Sequence, residues 1–360
     1  MGPVALVSPH RTRIEMIQST STAPPEVSAG QLVFQVASGY MASAALQVAM
    51  RLDIAARLSN GPRPVADLAR EAGVRTDGLY RVLRALASLG IFAESSPRTF
   101  ALTPAAELLR KGPGSLGDGI EFITDPLHFE TYAEALHSVQ TGQPAAEKVV
   151  GMPLFEYLAK TPQWSTSFNN AMTAFSANVM PAVLKAYDFS GIGTLVDVAG
   201  GHGHVLTSVL REYPQMRGVL FDLEHVIAGS GPLLAVSGVQ SRVRAEPGDF
   251  FKAVPAGGDA YIMKHIIHDW DDERAAAILS NIRKALDGKP QGRVILLEAV
   301  LVAGNAPDFT KLLDLEMMLF PGGRERTAEE FGALFDRAGF TLTTVVPTES
   351  MLSVVEARTR

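Results

Sequence analysis

The chain has no cysteine in 360 residues, which excludes disulfides, thiolate zinc sites and a cysteine nucleophile. That absence fits a cytoplasmic protein. The chain is also short of positive charge. With a net charge of -6 and a pI near 5.8, no global positive field draws in phosphate, and no nucleic-acid partner is expected. Charged residues are only 19% against 47% hydrophobic, which supports a sizeable core and argues against disorder over most of the length. One stretch, Val27 to Met50, lacks charge altogether and raises the question of a membrane span. Gln31, Gln35, Ser38, Ser43 and Gln47 interrupt it, and the first three share one helical stripe. It reads as an amphipathic helix whose apolar face needs a protein partner, not a membrane. The N-terminus has no signal-peptide pattern, and Leu6 stands where a myristoylation site needs Ser or Thr.

Along the chain, residues 1–28 mix Pro, Ser and Thr with little periodicity and read as a flexible arm. Residues 29–115 read as a helical module. Pro64 to Val74 is helix then turn, stopped by Gly73. Thr76 to Leu89 is a second helix with Leu79, Val82, Leu83 and Leu86 on one face. IFAE and TFALT follow as two short strands, completing a winged-helix pattern. DNA binding is the usual use of such a module. From Gly61 to Arg110, however, seven arginines face five acids, and the wing tip offers only Arg98, so a dimerisation role is favoured. Residues 116–190 read as a helical connector, clearest at 154–160 and 164–187. Its Phe168, Met172, Phe175 and Met180 suit either a core or an apolar substrate pocket. From 191 to 360, strands and helices alternate in a doubly wound α/β pattern that ends in two strands, TLTTVV and LSVVEA. Thr327 and Glu330 predict a capping box at the start of a helix running to Ala338.

The chemistry is concentrated at strand ends. Asp197-Val198-Ala199-Gly200-Gly201-His202-Gly203 follows the first strand of this region. Its G-G-x-G differs from the G-x-G-x-x-G of dinucleotide sites and suits a nucleoside without pyrophosphate. Asp222, followed by Leu223, ends the second strand and is placed to take ribose hydroxyls. Gly248, Asp249 and Phe250 end the third, where an acid and an aromatic ring suit an adenine. Each alone is more often a turn residue; together, on successive strands of one sheet, they form a cradle. The fourth strand runs into Lys264-His265-Ile266-Ile267-His268-Asp269-Trp270. The H-x-x-H-D spacing also raises a metal, but no third ligand of matching register is evident nearby, and none is expected.

The segments DVAGGHGHVL, FDLEHVI, PGDFF, MKHIIHDWDDE, ILLEAVL and PGGRERT, in this order and spacing, resemble the plant-type small-molecule O-methyltransferases. That family includes caffeic acid and flavonoid enzymes and bacterial relatives in polyketide and phenazine pathways. The resemblance covers roughly residues 30–358. It implies an α/β fold: a class I methyltransferase Rossmann-like doubly wound sheet with an N-terminal helical winged-helix dimerisation domain. It further implies a homodimer, S-adenosyl-L-methionine as cofactor with S-adenosyl-L-homocysteine as product, and methyl transfer to a small aromatic hydroxylated acceptor (a phenol, catechol, flavonoid or polyketide-like molecule). His268 would be the base, bracketed by Glu298 and Glu325. The cofactor would rest on Gly200, Asp222, Leu223, Gly248, Asp249, Phe250 and Lys264, with Ser176 near its methionine portion. Phe168, Met172, Met180 and Asp269 would face the acceptor. His265 reads as structural. Two alternatives stand beside this: a relative on the same cradle that methylates nitrogen or has turned to hydroxylation or decarboxylation, and a winged-helix regulator that senses a nucleoside. One departure matters: Ala199 stands where the family loop has its first glycine. At negative φ its methyl group costs little; at positive φ cofactor affinity suffers.

Overall fold

A computed structural model describes residues 28–112 and 114–360. The arm predicted for residues 1–28 thus lies outside the described residues except for Ser28. Ser28 opens the helix Ala29–Arg51. Its hydroxyl accepts the Gln31 N–H at 3.3 Å while the Gln31 side chain accepts the Ser28 N–H at 2.9 Å, a reciprocal cap. Residues 1–42 and 43–360 group as separate units. In the first, Leu32, Val33, Phe34, Val36, Tyr40 and Met41 are exposed. By length and composition this helix also meets the requirement for crossing a membrane.

In the second unit, helices Val65–Ala72 and Thr76–Ser88 pack with strands β1 (Arg63–Pro64), β2 (Phe92–Ser96) and β3 (Thr99–Leu102), which pair in the order β1-β3-β2. Leu79, Leu83 and Leu86 recur at helical spacing and are buried with Leu68, Phe92 and Phe100, giving this module its own core. The expected winged-helix pattern is present, with β1 added.

The larger sheet holds β4 (Thr194–Val198), β5 (Arg217–Asp222), β6 (Val243–Pro247), β7 (Ala260–Lys264), β8 (Arg293–Glu298), β9 (Phe340–Pro347) and β10 (Ser353–Thr359). Their order is β6-β5-β4-β7-β8-β10-β9. β4 to β8 are parallel, and β10 runs antiparallel between β8 and β9. The central strands β4, β7 and β8 are buried along nearly their whole length, as in a parallel sheet covered on both faces, whereas the edge strands β6 and β9 carry exposed polar residues. On β4, Leu195 enters the core on one face and Val196 the core on the other. The Thr327 capping box is present. The helix Thr310–Leu319 was not anticipated in the sequence; its single-face apolar signal is weak beside that of Thr76–Ser88.

The strand order reverses at β4, so β5 and β7 leave their carboxyl ends on either side of it, which opens a crevice there. The long helix Pro162–Ala186 packs beside it, and its Ala171 and Trp164 belong to the connector core.

Candidate active site

A cavity of about 350 Å³ sits at these strand ends. The β4 loop shapes one side. Asp197 is buried, and its carboxylate accepts the Leu206 N–H at 3.2 Å. Burial, with Asp222 nearby, pushes the Asp197 carboxyl up to about 7. A Cβ on Gly200 would lie 2.5 Å from Leu220 and 2.6 Å from the Asp197 carboxyl carbon, so only glycine fits. The loop then turns back through Gly201, whose N–H donates to Asp222 Oδ2 at 2.8 Å. Asp222 Oδ1 accepts the Leu223 N–H at 2.7 Å, and burial raises this carboxyl. At the next strand end, a Cβ on Gly248 would lie 2.4 Å from the Phe221 ring. Asp249 accepts the Phe251 N–H at 2.9 Å. These contacts hold backbone and carboxylates against an open space a nucleoside would fill, and the donor set fits one: carboxylates for hydroxyls, glycines for close approach, aromatic rings for a base.

Ala199 has φ 56°, the left-handed region. The first of the two alternatives is thereby excluded: the methyl group sits where glycine is preferred.

Gly200, Asp222, Leu223, Gly248, Asp249, Phe250, Lys264, Ser176, Phe168, Met172 and Asp269 all line the cavity. Met180 does not. It is 1% exposed and packs with Val179 and Val183 in the core beside the sheet. Twelve residues beyond Phe168, it lies about 18 Å farther along the helix and about 120° round it, so the stripe has rotated off the cavity. Residues not singled out from the sequence also line the wall: Phe155, Asn169, Thr173 and Trp270. Phe155 stacks on Trp270 with centroids 5.2 Å apart, and Phe251 meets the same ring edge-on at 4.8 Å. Trp270 was legible as part of the HDW run; Phe155 and Thr173 reach the wall only through the packing of distant helices. His202 of the glycine loop also lines the cavity and pairs through Nδ1 with Thr173 Oγ1 at 3.2 Å.

His268 lies just behind this wall, on the short turn Ile267–Asp269, and is 4% exposed. Glu298 ends β8 and Glu325 lies in the segment before the capped helix; both are fully buried. His268 Nδ1 is 2.7 Å from Glu325 Oε1 and 3.7 Å from Glu298 Oε2, while Nε2 is 3.5 Å from Asp269 Oδ1. The Ile266 and Ile267 N–H groups donate to Glu298 Oε1 at 3.0 and 2.9 Å, fixing the turn to β8. Arg326, also missed in the sequence, is 1% exposed and donates to the Ile267 and Trp270 carbonyls at 3.0 and 2.8 Å. It clamps both ends of the turn. Burial works against a charge on His268, but Glu298, Asp269 and Glu325 outweigh it and lift its pKa to about 9. Lys264, desolvated beside Glu298, is held down to about 8.

His268, Glu298 and Glu325 offer ligand atoms within 4.8 Å of one another, because β8 and a segment far along the chain both meet the turn. The 2.7 Å contact is that of a hydrogen bond from imidazolium to carboxylate.

The O-methyltransferase domain family matches residues 132–341, and the O-methyltransferase dimerisation domain family matches residues 34–112. The phenazine O-methyltransferase PhzM of Lysobacter antibioticus is 42% identical over 92% of this chain and 97% of its own. The crystal structure of LaPhzM superimposes with a TM-score of 0.89 at 42% identity, covering 93% of this chain and 100% of that one. The S-adenosylhomocysteine-bound structure of CalO1, a methyltransferase in calicheamicin biosynthesis, gives 0.79 at 34% identity over 92% and 98%. The crevice at the strand reversal, the glycine-and-acid cradle and the buried carboxylate–imidazole cluster therefore sit in a chain that belongs to the O-methyltransferase family, with an N-terminal dimerisation domain and a Rossmann-like catalytic domain.

Proposed function

We propose that this protein transfers a methyl group from S-adenosyl-L-methionine to a hydroxyl of a small aromatic molecule, with His268 as the general base. The observation that carries the reading is the imidazole of His268, held 2.7 Å from a buried glutamate directly behind the wall of a cavity that fits a nucleoside. Asp222 and Leu223 would hold the ribose, Gly248, Asp249 and Phe250 the adenine, Gly200 the loop approach, and Lys264 and Ser176 the methionine portion. When bound, the cofactor supplies an electrophilic methyl group on a sulfonium. Phe168 and Met172 give the acceptor an apolar wall, and Asp269, which lines the same cavity, stands with Oδ1 3.5 Å from His268 Nε2. The acceptor hydroxyl gives its proton to Nε2 beside Asp269.

The energetics favour this assignment. A phenol near pKa 10 and an ordinary imidazole near 6.5 differ by about 3.5 units, or about 5 kcal/mol against full proton transfer. At about 9, His268 leaves only about one unit, roughly 1.4 kcal/mol. Glu325 and Glu298 stabilise the imidazolium so formed, and holding the oxygen beside the methyl carbon supplies most of the remaining rate. The match to a dimerisation domain, with exposed Phe34, Val36 and Tyr40, supports a homodimer.

The test is calorimetry followed by turnover. S-adenosylhomocysteine binds one per chain, and methyl transfer to a panel of phenols and catechols proceeds undiminished in EDTA. Binding of NADH instead of S-adenosylhomocysteine, or activity lost to EDTA and restored by magnesium, overturns the reading.

A further inference from the structure

His265 has no role in the reading above, yet its setting is not that of a filler residue. Its φ is 53°, left-handed for a non-glycine residue, a strain that gathers at functional sites. The strained residue is anchored, since its backbone N–H donates to the Leu297 carbonyl at 3.2 Å. Its ring stacks on that of His268 with centroids 4.7 Å apart and planes 14° from parallel. Lys264 Nζ stands 3.3 Å from Nδ1. An ammonium only donates, so Nδ1 accepts, and the neutral ring carries its proton on Nε2. Burial, reinforced by Lys264 and His268, holds the pKa well below the usual histidine range, which is the same neutral form. Nε2 is itself buried and has no hydrogen-bond partner among the described residues, although His265 lines the cavity. Buried N–H groups are almost always paired.

We propose that His265 determines acceptor specificity by donating a hydrogen bond from Nε2–H to a second heteroatom of the acceptor, an oxygen or ring nitrogen on the position next to the hydroxyl that His268 serves. The inference rests on His268 as the base. The His265 ring lines the cavity and stacks face to face on that of His268 just behind it, so the two address neighbouring atoms of one ligand. An acceptor with a lone hydroxyl leaves the Nε2–H unpaired; one with a hydroxyl flanked by an acceptor atom satisfies both rings. A site built to hydrogen-bond a ligand group discriminates strongly against the analogue that lacks it.

The probes are 8-hydroxyquinoline, with a ring nitrogen beside its hydroxyl, and 1-naphthol, the same shape with carbon there. Binding is read by calorimetry to the protein saturated with S-adenosylhomocysteine in EDTA, so no turnover is needed. The wild type favours 8-hydroxyquinoline by about tenfold or more, the fold-change of one buried hydrogen bond. His265→Asn tolerates the left-handed backbone but its amide stops short of the Nε2 position, and the preference falls to within about twofold. His265→Gln, whose amide nitrogen reaches that position, restores most of it. In the ligand-free wild type, nitrogen-proton correlation spectra show the His265 ring as the Nε2–H tautomer. An Nδ1–H tautomer, equal affinity of the wild type for both probes, or equal weakening of both by His265→Asn overturns the assignment while leaving the phenol reading in place. Failure of the wild type to bind either probe overturns both.

Discussion

At the scale of single residues, His268 carries opposed consequences. Its pKa near 9 lies above the ordinary 6.5, so the folded protein holds an imidazolium at pH 7 and must lose that proton to act as a base. The groups facing it are Glu298, Asp269 and Glu325, with the His265 ring stacked on it. We expect kcat/KM to climb from pH 7 toward a plateau above about 9. Stability follows the opposite sign. A raised folded pKa contributes stability that is complete below about 6.5 and is lost as pH rises through about 9, so Tm falls between about pH 6.5 and 8. Above about 8 Lys264, whose folded pKa is depressed, acts in the other direction. His268→Ala flattens the activity profile and lowers turnover about 10²–10⁴-fold, while calorimetric affinity for S-adenosylhomocysteine stays nearly constant. A variant that keeps wild-type turnover with a weakly acidic phenol removes His268 from the mechanism. Ala199 offers a simpler case: at φ 56° its methyl group costs about 1 kcal/mol, so Ala199→Gly raises Tm and tightens S-adenosylhomocysteine binding. Unchanged affinity and a lower Tm would show that the loop gains nothing from glycine.

At the scale of elements, the base is held by three pieces of backbone: the end of β8, the turn Ile267–Asp269, and the segment running from Pro321 to Thr327. Arg324 N–H donates to the His268 carbonyl at 2.8 Å, and Glu325 N–H donates to Asp314 at 2.8 Å. Gly323 crosses the turn so closely that a Cβ there would fall 1.9 Å from the His268 carbonyl oxygen. Gly323→Ala must therefore push the segment away and carry Glu325 off His268. The expected result is a turnover loss of roughly 10²-fold, with the pH profile displaced toward neutrality because imidazolium loses its partner. Turnover and pH profile both left intact would mean that the segment is not what holds the base.

At the scale of the whole molecule, the division of labour is between a module with a small core of its own and a large sheet that carries the cavity. Exposed Leu32, Val33, Phe34 and Val36 on a helix of the dimerisation match need cover. Light scattering at micromolar concentration is expected to give twice the 38.5 kDa chain mass. Replacing Phe34 and Val36 together with glutamate shifts it to the single-chain value. A wild-type monomer removes the dimer from the proposal.

The sequence by itself determined what depends on neighbours in the chain. Alternation of buried strands with capped helices is local, so the doubly wound sheet and the Thr327 capping box were legible. The glycines and acids at successive strand ends were legible for the same reason, since each follows its own strand directly. What only the tertiary structure decided involves distance through space. Met180 shares a composition with Phe168 and Met172, but helical drift turned it into the core. The sequence set two alternatives for Ala199 and could not choose, because φ is fixed by how the loop closes against Asp197 and Asp222. Glu298 and Glu325 lie 30 and 57 residues beyond His268, and no spacing rule brings them to one nitrogen; sheet order and the clamp of Arg326 do. His265 reads as a structural histidine in the chain; its left-handed backbone and its stacking on His268 are visible only in the folded chain, where β7 pairs with β8.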